Sequence, residues 1–189
     1  ALMVPGSDVI IENVGINETR SGIIDVIRAM NGKITLVNER YFGGEPVADL
    51  HIQYTKDLVA TTIEGDMIPR LIDEIPILAL LATRAKGITV IKDAEELKVK
   101  ETNRIDVTVN QLKAIGAQIK STDDGMIITG QPEGSFNQAS VSSHKDHRIA
   151  MMLCVASLLI DEPLIIEDVE SMEISYPDFL KHLNVLLGN

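Results

Sequence analysis

Basic and acidic side chains alternate in the stretch KVKETNRI, residues 98–105. Lys100 and Arg104 flank Glu101, and the apolar periodicity that follows predicts a helix that begins at Arg104. Guanidinium and ammonium groups bind phosphate or carboxylate ions, and a carboxyl group beside them can donate or accept a proton. The stretch therefore predicts acid–base chemistry on an anionic substrate.

Cations recur at the predicted starts of other helices. Arg20 precedes an amphipathic pattern, and Arg70 lies just before an apolar one. His147 and Arg148 open a second apolar helix. The N-terminus of a helix is already positive, so the helix dipole does not stabilise cations there. Its free backbone N–H groups favour a bound anion, which would explain the cations. The alternative for each cation alone is a solvated or ion-paired surface residue.

Two carboxylates, Asp73 and Glu101, lie among these cations. Asp73 comes three residues before a proline, so the structural alternative for it is a helix N-cap. For Glu101 the alternative is complementarity to the helix dipole. We predict no metal site, because His144, Asp146 and His147 have no second cluster of ligands elsewhere in the sequence. Neither G-x-G-x-x-G nor G-x-x-x-x-G-K-[ST] is present.

The elements that must position these residues repeat weakly along the chain. Three segments, which begin near residues 8, 87 and 163, each contain a Val- and Ile-rich run, a polar linker and an amphipathic helix. Asn13, Asp93 and Asp168 occupy equivalent places after the apolar runs, 80 and 75 residues apart. A period of this length indicates a supersecondary unit that is used several times.

Between these segments, IPILALLATRA and RIAMMLCVASLL are apolar nearly all round, which predicts two deeply buried helices. Strands are predicted before them at VATTIEG and ASVSS, and after the amphipathic segments at ADLHIQY and GMIITG. The last amphipathic helix has an apolar stripe that consists of Phe179, Leu180, Leu183 and Leu187. The predicted unit is strand–helix–strand–helix–strand–strand.

We therefore predict an α/β fold with one domain, residues 1–189. Its repeat units lie near 1–55, 56–130 and 131–189, and the first is truncated on its N-terminal side. The opening residues ALMVPG are expected to be the tail of a helix that a Pro-Gly pair stops, so the chain would be a fragment.

The composition excludes several classes of partner. Lys and Arg number 17 against 28 Asp and Glu, a formal net charge of −11, so no broad cationic face for nucleic acid or an anionic membrane is expected. No apolar run reaches the roughly 18 residues of a membrane span, and no signal peptide is visible. Cys154, the single cysteine, lies in an apolar run and is expected to be a buried small hydrophobe. A cytoplasmic location follows as an expectation.

The segments LKVKETNRI, SSHKDHRIAMM, VGINETRSGIIDVIRAMNG and SYPDFLKHL together resemble the C-terminal part of the 3-phosphoshikimate 1-carboxyvinyltransferase (EPSP synthase) family. This resemblance covers essentially the whole chain. It implies two domains, each of three βαβαββ units around a pseudo-threefold axis, with helix N-termini that face an interdomain cleft. The chain would be one such domain of a monomeric enzyme, and its N-terminal partner domain would be absent.

The resemblance also implies a reaction and its residues. Phosphoenolpyruvate would transfer its enolpyruvyl group to the 5-hydroxyl of shikimate 3-phosphate, without metal or organic cofactor. Asp73 is similar in position to the base on that hydroxyl, Glu101 to the proton donor for the methylene carbon, and Lys100 to a ligand near the reacting hydroxyl. The resemblance implies that phosphoenolpyruvate is bound by Arg104 and Arg148, with His147 beside them.

Four positions depart from the family pattern. Asn103 replaces a usual Asp, Lys145 a common Gly or Asn, Ile174 a Lys of some members, and Glu96 a substrate-binding Asn of some members. Two alternatives stay open. One is an enzyme like UDP-N-acetylglucosamine 1-carboxyvinyltransferase, which shares the fold but matches the two main motifs less well. The other is a non-catalytic anion-binding domain of the same fold.

Overall fold

A computed structural model describes residues 1–188, and Asn189, the end of the third predicted unit, lies outside the described residues. The strands are Asp8–Gly15 (β1), Lys33–Phe42 (β2), Glu45–Gln53 (β3), Thr62–Ile63 (β4), Ile88–Ile91 (β5), Gln118–Ser121 (β6), Met126–Thr129 (β7), Ser140–Ser142 (β8) and Ile165–Glu167 (β9). The α-helices are Gly22–Ala29 (α1), Ile75–Ala82 (α2), Arg104–Ala114 (α3), His147–Ser157 (α4), Ser171–Ser175 (α5) and Phe179–Leu186 (α6). Short 3₁₀ helices cover Gly65–Arg70, Ile72–Glu74 and Glu95–Val99.

Within residues 1–188 the strands form three sheets, with the orders β1-β3-β2, β4-β5-β7-β6 and β8-β9. β4 is parallel to β5 and β8 is parallel to β9, since α2 and α4 provide the crossovers that parallel neighbours require. The strands of the second sheet and the helices between them follow the complete predicted order of one unit, which is β4, α2, β5, α3, β6 and β7. The predicted α/β class is confirmed. The division into units near 1–55, 56–130 and 131–189 stays a prediction, which the matching order of β1-β3-β2 and β5-β7-β6 supports.

The three positions that the sequence marked as equivalent share an uncommon backbone conformation. Asn13, Asp93 and Asp168 have φ values of 58°, 59° and 60°, in the left-handed region where Asn and Asp are enriched. The backbone N–H of Asn13 donates to Asp49 Oδ1 at 2.9 Å, and that of Asp93 donates to Asp124 Oδ2 at 2.8 Å. The same local conformation therefore occurs at the register shift within β1, between Ile11 and Val14, and just after the end of β5. This similarity supports the equivalence of the two positions.

The core lies between the sheets and contains the two apolar helices. Every side chain of α2 except Ile77 is buried, and α2 packs against α3 and α4. Full burial of one Leu side chain contributes about 1.5–3 kcal/mol, so these helices are a principal source of stability. Cys154 on α4 is buried as well, and burial raises the pKa of its thiol. Both predictions of burial are confirmed.

The prediction of a helix tail at the N-terminus is wrong. Val4 to Ser7 form a turn in which the Ser7 N–H donates to the Val4 carbonyl at 3.2 Å. Pro5 fixes φ at the second position, and Gly6 takes φ = 81° at the third, which is the pattern of a type II turn. The Ser7 carbonyl then accepts the N–H of Tyr54, so this segment runs beside the end of β3.

The last predicted helix, α6, is less buried than its apolar stripe suggests. Leu180 and Leu187 are exposed, whereas Phe179 and Leu183 pack against a small cluster that includes Met172. The strand expected at VATTIEG is also shorter, because only its TI pair joins β5 as β4. Among the described residues, each helix is too short or too polar to cross a bilayer.

Candidate anion-binding and proton-transfer site

Arg104, the first residue of α3, lies at the centre of the site. Its side chain is only 1% exposed. Nε donates to Asp146 Oδ2 at 2.8 Å, Nη1 donates to Asp73 Oδ1 at 3.1 Å, and Nη2 donates to Glu101 Oε2. One guanidinium therefore connects carboxylates from the segments before α2, α3 and α4.

Asp146 is fully buried and is the N-cap of α4. Its Oδ1 accepts the backbone N–H of Arg148 at 2.9 Å, and its Oδ2 accepts the hydroxyl of Thr102 at 3.1 Å. Burial by itself raises the pKa of Asp146, but the hydrogen bonds and charge of Arg104 outweigh it and leave the pKa below its usual value. Sequence reasoning missed Asp146 and Thr102. An Asp directly before a helix is the N-cap signal that points to the former.

Asp73 faces three arginines. Besides Arg104, Arg148 Nη2 lies 3.5 Å and Arg20 Nη2 lies 3.9 Å from Asp73 Oδ2. The N-cap position of α2 belongs to Glu74, without a side-chain cap bond, so Asp73 does not serve as the cap. Burial raises the pKa of Glu74. Asp73 is thus a carboxylate in a cationic setting at the start of a helix.

Glu101 is half exposed and precedes α3 instead of lying in its first turn. Besides the bond to Arg104, its Oε1 lies 3.9 Å from His147 Nδ1. The first-turn acid of α3 is Asp106, whose N–H donates to the Asn103 side chain at 3.2 Å. Asn103 is therefore the N-cap, a role for which Asn and Asp are about equally suited, and this explains that departure from the family pattern.

Lys100 makes its contact outside this cluster, since its ammonium pairs with Glu96 one turn earlier. Lys145 has φ = 65°, a conformation in which Gly is free of strain, and this is the physical reason that Gly or Asn suits the position. Ile174 lies exposed on α5 and brings no polar atom.

Arg70 belongs to a structural contact and not to the site. Its Nε donates to the Glu18 carbonyl at 2.6 Å, and Nη2 donates to Asp25 Oδ2 at 2.7 Å. It therefore ties α1 and the linker before it to the 3₁₀ helix Gly65–Arg70. Arg70 is therefore an ion-paired surface residue and not an anion ligand at a helix start.

The structure thus brings five of the six predicted site residues together and leaves Lys100 on Glu96. The residues in the cluster are Asp73, Glu101, Arg104, His147 and Arg148. Because Arg104 is enclosed, an anion reaches its guanidinium only when Glu101 or Asp73 turns away. Arg148 Nε is buried and has no hydrogen-bond partner within residues 1–188, so this donor is left unsatisfied.

Known proteins with similar sequences match nearly the whole length of the chain. The sequence profile of the family described as EPSP synthase (3-phosphoshikimate 1-carboxyvinyltransferase) matches residues 1–183. The 3-phosphoshikimate 1-carboxyvinyltransferase of Staphylococcus epidermidis is 53% identical over 186 residues, 98% of this chain and 42% of the relative. That of Bacillus subtilis is 54% identical over 184 residues, 97% of this chain and 42% of the relative.

Solved structures show the same likeness. EPSP synthase from Acinetobacter baumannii superposes with a TM-score of 0.94 at 39% identity, over 98% of this chain and 43% of that protein. The enolpyruvyl transferase NikO from Streptomyces tendae gives a TM-score of 0.74 at 19% identity, over 96% of this chain and 39% of that protein. The second likeness shows a shared fold alone. The chain spans about 42% of the length of the curated relatives that it matches.

Proposed function

The chain belongs to the EPSP synthase family, and from that premise we propose that it forms part of a 3-phosphoshikimate 1-carboxyvinyltransferase. The complete enzyme transfers the enolpyruvyl group of phosphoenolpyruvate to the 5-hydroxyl of shikimate 3-phosphate. The observation that carries the proposal is the cluster in which Asp73 and Glu101 share the guanidinium of Arg104. Two carboxylates beside three arginines match a reaction that moves protons on a substrate with several negative charges.

In the first step, the oxygen of the 5-hydroxyl forms a bond to C2 of phosphoenolpyruvate. Asp73 accepts the hydroxyl proton, and Glu101 donates a proton to the methylene carbon C3, which becomes a methyl group. The product is a tetrahedral intermediate in which C2 carries both the new ether and the phosphate. Acid–base assistance of this kind supplies about 10²–10⁴-fold in rate for each residue.

In the second step, a base removes a proton from the methyl group while the bond between C2 and the phosphate oxygen breaks. The electron pair of the C–H bond forms the new C2=C3 double bond, and inorganic phosphate leaves. Glu101, deprotonated after the first step, is suited to take that proton because it acted on the same carbon.

The basic residues bind charge while these steps occur. Arg104 is proposed to bind phosphoenolpyruvate together with Arg148, whose Nε has no partner among residues 1–188, and His147 lies next to Glu101. Lys100 is proposed to leave Glu96 and to contact the hydroxyl region of shikimate 3-phosphate. Helix N-termini that point at the same place add oriented backbone N–H groups.

We also propose that this domain consists of three units around a pseudo-threefold axis and works with a partner domain of the same enzyme. The cluster lies at one surface of the chain, with Arg20 71% exposed and Glu101 half exposed. A partner domain that covers this surface would exclude water from the reaction and bind the other end of the substrates.

The test is kinetic and uses the complete enzyme. Phosphate release from phosphoenolpyruvate and shikimate 3-phosphate is measured for Glu101→Gln and Asp73→Asn, and each is expected to lose about 10²–10⁴-fold in kcat. Glu95→Gln, the same loss of charge at an exposed neighbour, is the matched control and should retain activity. Near-normal rates for both site variants would overturn the roles, and a preference for UDP-N-acetylglucosamine as acceptor would overturn the substrate.

Anion binding can be tested on the 189-residue chain itself. Inorganic phosphate is titrated while the backbone amide resonances of Arg104 and Arg148 are followed by NMR. Shifts that saturate at these amides, and that shrink in Arg148→Met, are expected. An unchanged spectrum up to high phosphate concentration would count against the site.

A further inference from the structure

The carboxylate of Asp146 accepts hydrogen bonds from two segments, residues 102–104 and the first turn of α4. Oδ2 lies 2.8 Å from Arg104 Nε and 3.1 Å from Thr102 Oγ1. Oδ1 lies 2.9 Å from the backbone N of Arg148 and 3.4 Å from Arg104 Nη2. The side chain is 0% exposed, so it does not touch a substrate in the cluster.

We propose that Asp146 is a positioning residue that fixes both arginines of the site, Arg104 through its side chain and Arg148 through its backbone. The inference rests on the proposed function, because it assigns a role in that same reaction. Through Arg104, Asp146 also sets where Asp73 and Glu101 lie, since both carboxylates contact the guanidinium that Asp146 orients.

The geometry explains why one buried carboxylate can have this effect. A guanidinium has five N–H donors in a rigid plane, and Asp146 accepts from the Nε edge with both oxygens. Nη2, which shares this edge with Nε, also donates to Glu101, and Nη1 on the other side of the guanidinium donates to Asp73. Without the charge of Asp146, the guanidinium would turn toward Asp73 and Glu101 and change the distances at the reacting atoms.

Asp146→Asn separates this role from helix capping. The Asn side-chain oxygen still accepts the Arg148 N–H or the Thr102 hydroxyl, and Asn caps helices about as well as Asp. What disappears is the negative charge that binds Arg104. A role limited to capping α4 would therefore survive this substitution, whereas a role that positions Arg104 would not.

The experiment measures kcat, the KM of each substrate and the pH dependence of kcat for Asp146→Asn in the complete enzyme. A displacement of about 1 Å at reacting groups costs on the order of 10²-fold, so kcat is expected to fall by about that factor and its pH profile to move. Asp124→Asn is the matched control, because Asp124 also accepts a backbone N–H but lies outside the site. It should leave kcat and the profile unchanged.

The outcomes separate the two proposals. If the unmodified complete enzyme does not convert shikimate 3-phosphate, the proposed function fails. If that enzyme is active and Asp146→Asn stays within about 3-fold of it with the same pH profile, the positioning role is overturned.

If Asp146→Asn does not fold, hydrogen exchange in the unmodified chain tests the proposal instead. In the unmodified chain the Arg104 Nε–H bond to Asp146 should protect that hydrogen from exchange with solvent, with and without inorganic phosphate. The exposed Arg20 Nε–H is the internal reference. Protection of at least about 10-fold over Arg20 in both conditions supports the proposal. Exchange as fast as that of Arg20 would refute it.

Discussion

Removal of the Arg104 guanidinium should destabilise this chain more than any other single loss of charge in the site. Arg104→Met keeps a long, unbranched side chain but deletes every N–H donor. It leaves Asp146, which is 0% exposed, without its cation, and it leaves Asp73 without its bond at 3.1 Å. Asp146 retains only the N–H of Arg148 and the hydroxyl of Thr102.

Loss of one partner from a buried ion pair costs about 3–5 kcal/mol, because the remaining charge is neither solvated nor neutralised. For a chain of this length, 1 kcal/mol corresponds to about 2–4 °C in Tm. The expected fall in Tm for Arg104→Met is therefore about 6–20 °C. The same substitution at Arg20 removes a contact of 3.9 Å from a side chain that is 71% exposed. An exposed pair contributes only about 0.2–1 kcal/mol, so Arg20→Met is the matched control.

The assay is thermal and urea unfolding followed by circular dichroism at pH 7 and pH 5. In the unmodified chain the folded state lowers the pKa of Asp146. The ionised carboxylate therefore stabilises the fold fully above the pKa of about 3.9 that Asp has in the unfolded chain, and this stabilisation is lost as the pH falls through the pKa in the folded state. In Arg104→Met, burial without a cation raises that pKa, so proton uptake relieves the penalty. The loss of stability should be smaller at pH 5 than at pH 7. Equal losses for Arg104→Met and Arg20→Met, or a penalty that grows toward pH 5, would refute the reasoning.

Three further outcomes are expected. The 189-residue chain alone should release no phosphate from phosphoenolpyruvate and shikimate 3-phosphate, since it spans only about 42% of the length of its relatives; measurable turnover would contradict this. Hydrogen bonds from the Asn13 N–H and the Asn38 amide, together with Arg40, lower the pKa of Asp49 to about 2. Its stabilisation is therefore present above pH ~4 and lost as the pH falls toward 2, so Asp49→Asn should lower the urea midpoint at pH 6 but barely at pH 2. Gly130→Ala would put a Cβ 1.7 Å from the Ala85 carbonyl oxygen and should cost about 1–3 kcal/mol in urea unfolding, whereas Gly15→Ala, with open space around it, should not.

Much of the fold could be predicted because its signals are local. Apolar periodicity placed the helices, and the near-continuous apolar runs identified α2 and α4 as buried. The equivalence of Asn13, Asp93 and Asp168 was visible as a repeat, and their left-handed backbone conformations agree with it. The failures were local as well. ALMVPG continues no helix because Pro5 and Gly6 favour a turn, and α6 buries less than its stripe suggests because only part of it meets other apolar residues.

The sequence by itself also determined which residue types lie at the helix starts, and therefore that an anion and proton transfer were to be expected. It could not decide which carboxylate faces which cation. Arg104 meets Asp146 across 42 residues and Asp73 across 31, and Arg148 meets Asp73 across 75. Ion pairs of this kind form only after the helices pack, because packing brings the distant charges within a few ångströms of each other and excludes water between them. Both changes strengthen the attraction. Packing alone therefore decided that Arg104 is enclosed and that the fully buried Asp146 joins the site.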